Sequence, residues 1–246
     1  MPERLKRHGA TLCWWSLALA VAWALKHHYS VATAAELGWM LRPVAGLVTL
    51  ATGQPFSRGA GGEWVSADAG VVLVKACAGV NFLVMSFLGW CWLFAPEGAH
   101  AAVAGSTAPA WPRPRRVPPW WLRLAAALAL AWGCALLTNA ARIVAALAFG
   151  HALGTALGPG AAHRLIGLVI YLPALGAQLW LAGGAARGRA LMAAAVLYAA
   201  LMLVTPLVTG NAWQAPARYA AHALMLALAL VPLWLWGLRL HRRRRQ

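Results

Sequence analysis

The chain of 246 residues is 62% hydrophobic and only 11% charged, and its mean hydropathy is +0.65. This composition excludes an ordinary soluble domain and predicts a polytopic membrane protein. The formal charge of +16 does not predict nucleic-acid binding, because the basic residues lie between apolar runs rather than on one water-facing patch. All five carboxylates lie at or before Glu97, which disfavours proton-coupled transporters and hydrolases built on paired acids.

The four cysteines form no C-x-x-C pair and no cysteine–histidine spacing typical of zinc. We therefore expect no metal and no cofactor. Cys13, Cys91 and Cys134 are interpreted as small packing residues of apolar helices.

Apolar runs long enough to cross ~30 Å of hydrocarbon predict six transmembrane helices. The first run follows a basic start and is interpreted as a retained span rather than a cleaved signal peptide. The six runs are 11–29, 71–95, 120–138, 164–186, 190–209 and 219–238. The predicted fold class is therefore an all-α polytopic membrane protein, with a single integral-membrane domain over 1–246.

Basic residues at the N-terminus, in 96–119, around 187–189 and in the arginine-rich tail are predicted to be cytoplasmic by the positive-inside rule. A full crossing by 30–53 would break this alternation. We therefore predict that 30–53 is a re-entrant or interfacial segment.

The two predicted outer segments follow from the same alternation. Residues 54–70 are glycine-rich and could include a short hairpin. In 139–162 a helix is predicted to continue to about Phe149, before the glycine-rich turn GTALGPG.

Polar residues cluster at the predicted outer ends of three consecutive spans. A thiol that attacks a carbonyl, an imidazole that moves protons and a cation that stabilises an oxyanion together suit acyl transfer. Each also has an ordinary structural interpretation, in packing, at a helix end or in snorkelling. The cluster comprises Lys75, Cys77 and Asn81 on the second span, Asn139 and Arg142 on the third, and His163 on the fourth.

Three motifs, in this order, resemble the exosortase/archaeosortase family of integral-membrane cysteine transpeptidases, and within it the K-type exosortases. CAGVNFL at Cys77–Leu83 matches the C-[SA]-G motif, NAARI at Asn139–Ile143 the N-x-x-R motif, and HRLIG at His163–Gly167 the H-x-x-x-G motif. The stretch LRPVAGLVTLATGQPF is similar, more loosely, to the region before the nucleophile. The family is usually drawn with more spans than the six predicted here.

The resemblance implies a cysteine peptidase or transpeptidase of the bacterial cytoplasmic membrane. The pattern of basic residues predicts that both termini are cytoplasmic and that the active site is on the outer face. The partners of such an enzyme would be exported proteins whose C-terminal sorting signal combines a short motif, a transmembrane helix and a basic tail. Cleavage through a Cys77 thioester would transfer the new C-terminus to an acceptor, with Arg142 and His163 completing the catalytic set.

Four further residues are predicted to support this site. Gly79 and Asn81 would shape the helix end that presents the thiol, and Asn139 belongs to the N-x-x-R motif. Lys75 would favour the thiolate or meet an acidic residue of the substrate. The glycines and proline of 167–178 would let the substrate helix reach the site laterally from the bilayer.

Two other functions remain open from the residues alone. A polytopic transporter or channel could use the polar cluster as an outer vestibule, and a non-catalytic scaffold subunit would need no chemistry from it. Loss of Cys77 would leave either function intact.

Overall fold

The computed structural model describes residues 2–95, 118–183 and a set of positions between 196 and 227. Helices dominate these residues, as the composition predicts. The chain divides into two compact units, Met1–Leu147 and Ala148–Gln246. The prediction of a single domain over 1–246 stays a prediction.

The described helices, in chain order, are α1 (Pro2–Val31), α2 (Gly38–Thr52), α3 (Val80–Leu93), α4 (Trp120–Leu157), α5 (Pro159–Gly183) and α6 (Asn211–Gln214). Within the described residues, four segments are long and apolar enough to cross a membrane, and they correspond to the first four predicted spans. These segments are Gly9–Val31, Lys75–Leu93, Trp120–Leu157 and Gly160–Trp180.

The last two predicted spans, 190–209 and 219–238, fall largely outside the described residues, as do the arginine clusters on which the predicted sidedness depends. The total of six spans therefore stays a prediction. Exposed apolar side chains on the described helices, such as Leu12 and Trp23 at 69% and Val169 at 59%, indicate a membrane-associated protein.

The core of the first unit is built around α3. Phe82, Leu83 and Phe87 are at most 1% exposed, so this helix is enclosed on most of its surface. Helix α1 packs against it, and the indole Nε1 of Trp14 donates a hydrogen bond of 3.0 Å to the carbonyl of Cys91. The turn Lys75–Ala78, which carries Cys77, therefore leads into a helix that is largely buried in this unit.

Helix α2 has 15 residues and buries Met40, Leu41 and Val44. At 1.5 Å per residue it is ~22 Å long, short of the ~30 Å needed to cross hydrocarbon. It ends at Gly53, whose φ is +72° and whose N–H donates to the carbonyl of Thr49 at 2.8 Å. Its length agrees with a re-entrant or interfacial segment, and its depth in the membrane stays a prediction.

The mostly helical fold also contains a small antiparallel sheet. Its strands are β1 (Ser57–Arg58), β2 (Trp64–Ser66) and β3 (Val71–Leu73), with β2 in the middle. The sequence predicted at most a hairpin in 54–70. The third strand occupies the first residues of the predicted second span, because an apolar, β-branched run fits a strand as well as a helix.

Helix α4 is longer than predicted, since it continues to Leu157 instead of ending near Phe149. Its 38 residues correspond to ~57 Å. It ends at Gly158, where φ is +82°, and the N–H of this glycine donates to the carbonyl of Gly154 at 2.9 Å. Pro159 then opens α5, a position that tolerates proline because its missing N–H has no helical partner there.

Candidate functional site

Cys77 lies in a 3₁₀ turn, Lys75–Ala78, that joins β3 to α3. The N–H of Cys77 donates to the carbonyl of Val74 at 2.7 Å, and the side chain is half-buried. Gly79 ends the turn with φ +69° and is also the residue before the first turn of α3. Residues that carry a side chain rarely adopt this backbone φ. Glycine adopts it readily, so the turn can pass directly into the helix. The thiol is thus presented immediately before a buried helix.

Asn139 on α4 binds this turn through its side-chain amide. Its Nδ2 donates a hydrogen bond to the backbone carbonyl of Cys77. Its Oδ1 accepts a hydrogen bond of 3.2 Å from Nε of Arg142. Asn139 is fully buried and Arg142 is only 6% exposed. Burying an unpaired amide or guanidinium is costly, so these hydrogen bonds help both residues to be accommodated inside the first unit.

Gly79 and Asn139 also fit closely against each other. A methyl group built at Gly79 would lie 3.0 Å from Cγ and 3.2 Å from Nδ2 of Asn139. The glycine is therefore required twice, by the backbone conformation and by the amide packed against it. The structure brings together four predicted site residues: Cys77, Gly79, Asn139 and Arg142.

Lys75 and Asn81, the two remaining residues predicted beside the thiol, are hydrogen-bonded to the last turns of α1. Nζ of Lys75 donates to the carbonyl of Ser30 at 3.0 Å and lies 5.2 Å from the ring centroid of Tyr29. Nζ of Lys26 lies 5.4 Å from the same ring and donates to Oδ1 of Asn81 at 2.5 Å. Lys75 and Asn81 are thus both held by side chains or backbone of α1.

The sequence did not predict Lys26, Tyr29 or Ser30 as site residues. Tyr29 is within electrostatic range of both Cys77 and Arg142, so α1 contributes an aromatic hydroxyl to the surroundings of the thiol. A signal was present, because these three residues are spaced i, i+3, i+4 and therefore share one helix face at the end of an apolar run.

Glu36, in the link between α1 and α2, carries a carboxylate that interacts electrostatically with Lys75 and His28. The backbone N–H of Thr33 donates to it at 2.7 Å and the Thr33 hydroxyl at 2.9 Å. These hydrogen bonds, the backbone one first, hold the pKa of the Glu36 carboxyl below its usual range, and the charges of His28 and Lys75 add to the effect.

His163 lies in the first turns of α5, in the second unit, and its side chain is exposed. Its convergence with Cys77 and Arg142 stays a prediction. In the part of the chain that the structure describes, no group of three or more histidine, cysteine or carboxylate side chains is placed to hold a metal ion.

The first unit also contains a cavity of about 360 Å³, called here the apolar groove. This volume is within the usual range for small-molecule pockets, but its lining is almost entirely hydrocarbon. Four helices contribute to it: Leu25 from α1, Trp39 from α2, Leu83 from α3, and Ala125, Leu128, Ala129 and Trp132 from α4.

Comparison with known proteins gives no match to a protein-family model, to a curated protein or to a solved structure. What the site does must therefore be inferred from its residues and their geometry.

Proposed function

We propose that this chain is a membrane-embedded cysteine peptidase or transpeptidase, similar to the exosortases, that cleaves a C-terminal sorting signal through a thioester at Cys77. One observation carries the proposal. A single buried side chain, Asn139, binds the turn that bears the thiol and also the guanidinium of Arg142. A candidate nucleophile and a candidate oxyanion partner are therefore held by the same amide.

In the proposed first half-reaction, Sγ of Cys77 attacks the scissile carbonyl and its proton passes to His163. Arg142 stabilises the negative charge that develops on the carbonyl oxygen. The C–N bond then breaks, the leaving amine takes the proton from His163, and the thioester remains.

In the second half-reaction, an acceptor nucleophile or water attacks the thioester. His163 takes the proton of the attacking group and returns one to the departing Cys77 sulfur. The products are the free enzyme and the substrate joined to its acceptor or, with water, carrying a new carboxylate.

The electrostatic surroundings support chemistry that develops negative charge. The N-terminal end of α3, with the partial positive charge of its backbone N–H groups, begins directly after the Cys77 turn. Lys26 and Lys75 add two ammonium groups around Tyr29. An oxyanion formed at Cys77 would therefore lie near several positive groups, and the Glu36 carboxylate, which interacts with Lys75, offsets only part of their charge.

The proposed substrates are exported proteins whose own transmembrane helix lies in the bilayer next to the enzyme. The proposed location is the bacterial cytoplasmic membrane, with both termini in the cytoplasm and the Cys77 site at the outer face. A lipid-embedded signal cannot enter a sealed aqueous pocket, so access from the side, between helices, is part of the proposal.

The test is a processing assay in membranes that hold the full chain and a tagged substrate bearing a sorting signal. Cys77→Ala should abolish cleavage, and Cys77→Ser should nearly abolish it, because a hydroxyl needs a stronger base than a thiol. Cys134→Ala is the matched control, since Cys134 is also half-buried, and it should cleave at the parent rate. Cleavage by Cys77→Ala at the parent rate would overturn the proposal.

The competing transporter or channel hypothesis makes the opposite prediction for the same variant. In a flux assay on vesicles, Cys77→Ala would then retain full transport, because a vestibule needs no nucleophile. Parent-like flux together with absent processing by the parent chain would favour that function.

A further inference from the structure

We infer that Asn139 is a positioning residue, which holds the peptide that carries the thiol in a fixed relation to the Arg142 guanidinium. Both ends of its amide are used, the donor on the Cys77 carbonyl and the acceptor on Nε of Arg142. Asn139 and Arg142 are three residues apart on α4, so the helix itself fixes their spacing. This role rests on the proposed function of Cys77 and Arg142.

The chemistry of the site requires an amide at this position. An aspartate at neutral pH offers only acceptors, so it could bind Arg142 but could not donate to the Cys77 carbonyl. An aliphatic side chain could do neither. Asn139 is fully buried, so water is poorly placed to replace the lost donor.

The turn needs this external restraint because of its local geometry. A 3₁₀ turn has poorer hydrogen bonds than an α-helix, and Gly79, two residues after Cys77, has no side chain to limit backbone rotation. A hydrogen bond to the Cys77 carbonyl fixes the peptide between Cys77 and Ala78, next to this glycine. Misplacing a reacting atom by about 1 Å can cost about 10²-fold in rate.

The experiment compares Asn139→Ala and Asn139→Asp with the parent in the full chain, reconstituted in membranes. Two quantities are measured: the kcat and KM of processing, and the rate at which N-ethylmaleimide alkylates Cys77, followed by mass spectrometry of the peptide that contains it. Gln54→Glu is the control, because it makes the same amide-to-carboxylate change in the half-buried loop after α2.

For both Asn139 variants we expect kcat to fall by about 10²-fold with KM unchanged, because the substrate still binds but the thiol is misplaced. Alkylation of Cys77 should become several-fold faster, since a released turn exposes the thiol more often. Gln54→Glu should match the parent in both measurements. Alkylation of Cys91, which is fully buried in α3, distinguishes loss of positioning from loss of folded protein. A released Cys77 turn leaves the Cys91 rate at the parent value, whereas unfolding exposes both thiols and accelerates both reactions.

Alkylation at the parent rate in both variants, or an aspartate variant that processes like the parent, would overturn the inference. If Asn139→Ala does not accumulate in the membrane, the nearly isosteric aspartate variant, which keeps the acceptor for Arg142, carries the test. If the parent processes no substrate at all, the proposed function fails, and the alkylation rates still decide whether Asn139 restrains the Cys77 turn.

Discussion

Asn139 and Cys77 are 62 positions apart in the chain, and the side-chain amide of the first donates a hydrogen bond to the backbone carbonyl of the second. This contact joins the turn between β3 and α3 to the middle of α4. Because Asn139 is buried, losing this hydrogen bond would cost about 1–3 kcal/mol. The turn and α4 are therefore expected to keep a fixed relation during any chemistry at the thiol.

Gly79→Ala tests how closely the turn is fitted to Asn139. Alanine at φ +69° is strained by about 1–2 kcal/mol, and its methyl group would also lie 3.0 Å from Cγ of Asn139. We expect a lower melting temperature of the purified chain in detergent and slower processing.

Gly53→Ala is the control for Gly79→Ala, because Gly53 has φ +72° with nothing within 4 Å of an added Cβ. Its melting temperature should fall only by the amount that backbone strain causes, without a steric contribution from a neighbouring side chain. Equal destabilisation by the two substitutions would contradict a role for the contact between Gly79 and Asn139.

Arg142 is predicted to be intolerant even of a substitution that keeps its charge. Arg142→Lys loses the planar fork of donors, including the Nε group that binds Asn139. Arg142→Ala should reduce processing by about 10²-fold or more, the usual scale for an oxyanion donor. Arg42→Lys, at an exposed position of α2, should process like the parent. Processing by Arg142→Lys at the parent rate would show that only a positive charge is needed at this position.

Much of the helical fold follows from composition, because apolar runs are sufficient to identify the four candidate spans of the described residues. The apolar run 71–95 misled the prediction of where the second helix begins. Hydropathy does not separate a strand from a helix over a few residues, and the pairing of β3 with β2 depends on a partner elsewhere in the chain.

Most residues of the candidate site could be predicted from the sequence, but the hydrogen bonds between them could not. Motif order identified Cys77, Asn139 and Arg142, and the structure brings them together. The hydrogen bond to Cys77 is accepted by a backbone carbonyl, a group that every residue has, so the residue types do not predict it. Likewise, Lys26 and Tyr29 enter the site because α1 packs against α3, and that packing is a property of the tertiary fold.

Glu36 is expected to stabilise the link between α1 and α2 in a pH-dependent way. Its pKa is lowered in the folded chain, first by the backbone N–H of Thr33 and then by the Thr33 hydroxyl. The contribution is therefore present above the unfolded-state pKa and is lost as the pH falls through the lower, folded-state value.

Glu36→Gln should lower the melting temperature at neutral pH, because an amide oxygen accepts these hydrogen bonds more weakly than a carboxylate. The difference from the parent should shrink in acid, where the parent carboxylate is protonated. Asp68→Asn, at an exposed loop position, is the control. A difference that stays constant across this pH range would show that the Glu36 charge does not act through Thr33.

Photocrosslinkers can locate the route of the substrate's transmembrane helix. The apolar groove offers the small side chains Ala125 and Ala129 on one face of α4, and small residues let a second helix approach closely. Crosslinkers at these two positions should capture the substrate tail, whereas one at Leu130, which does not line the groove, should not. Crosslinkers along 167–178 test the route predicted from the sequence. Capture from 167–178 alone would rule out the groove as the route.

His163 is the predicted catalytic residue that most needs a kinetic test, because it lies in the second unit with an exposed side chain. His163→Gln keeps hydrogen-bonding capacity but cannot transfer a proton at neutral pH, so it should slow acyl transfer while leaving substrate binding intact. The expected signature is a reduced kcat with KM unchanged. His151→Gln, at an exposed position near the end of α4, is the matched control and should behave as the parent. If both variants process the tagged substrate at the parent rate, His163 is not the general base, and the proton of the Cys77 thiol must pass to another group.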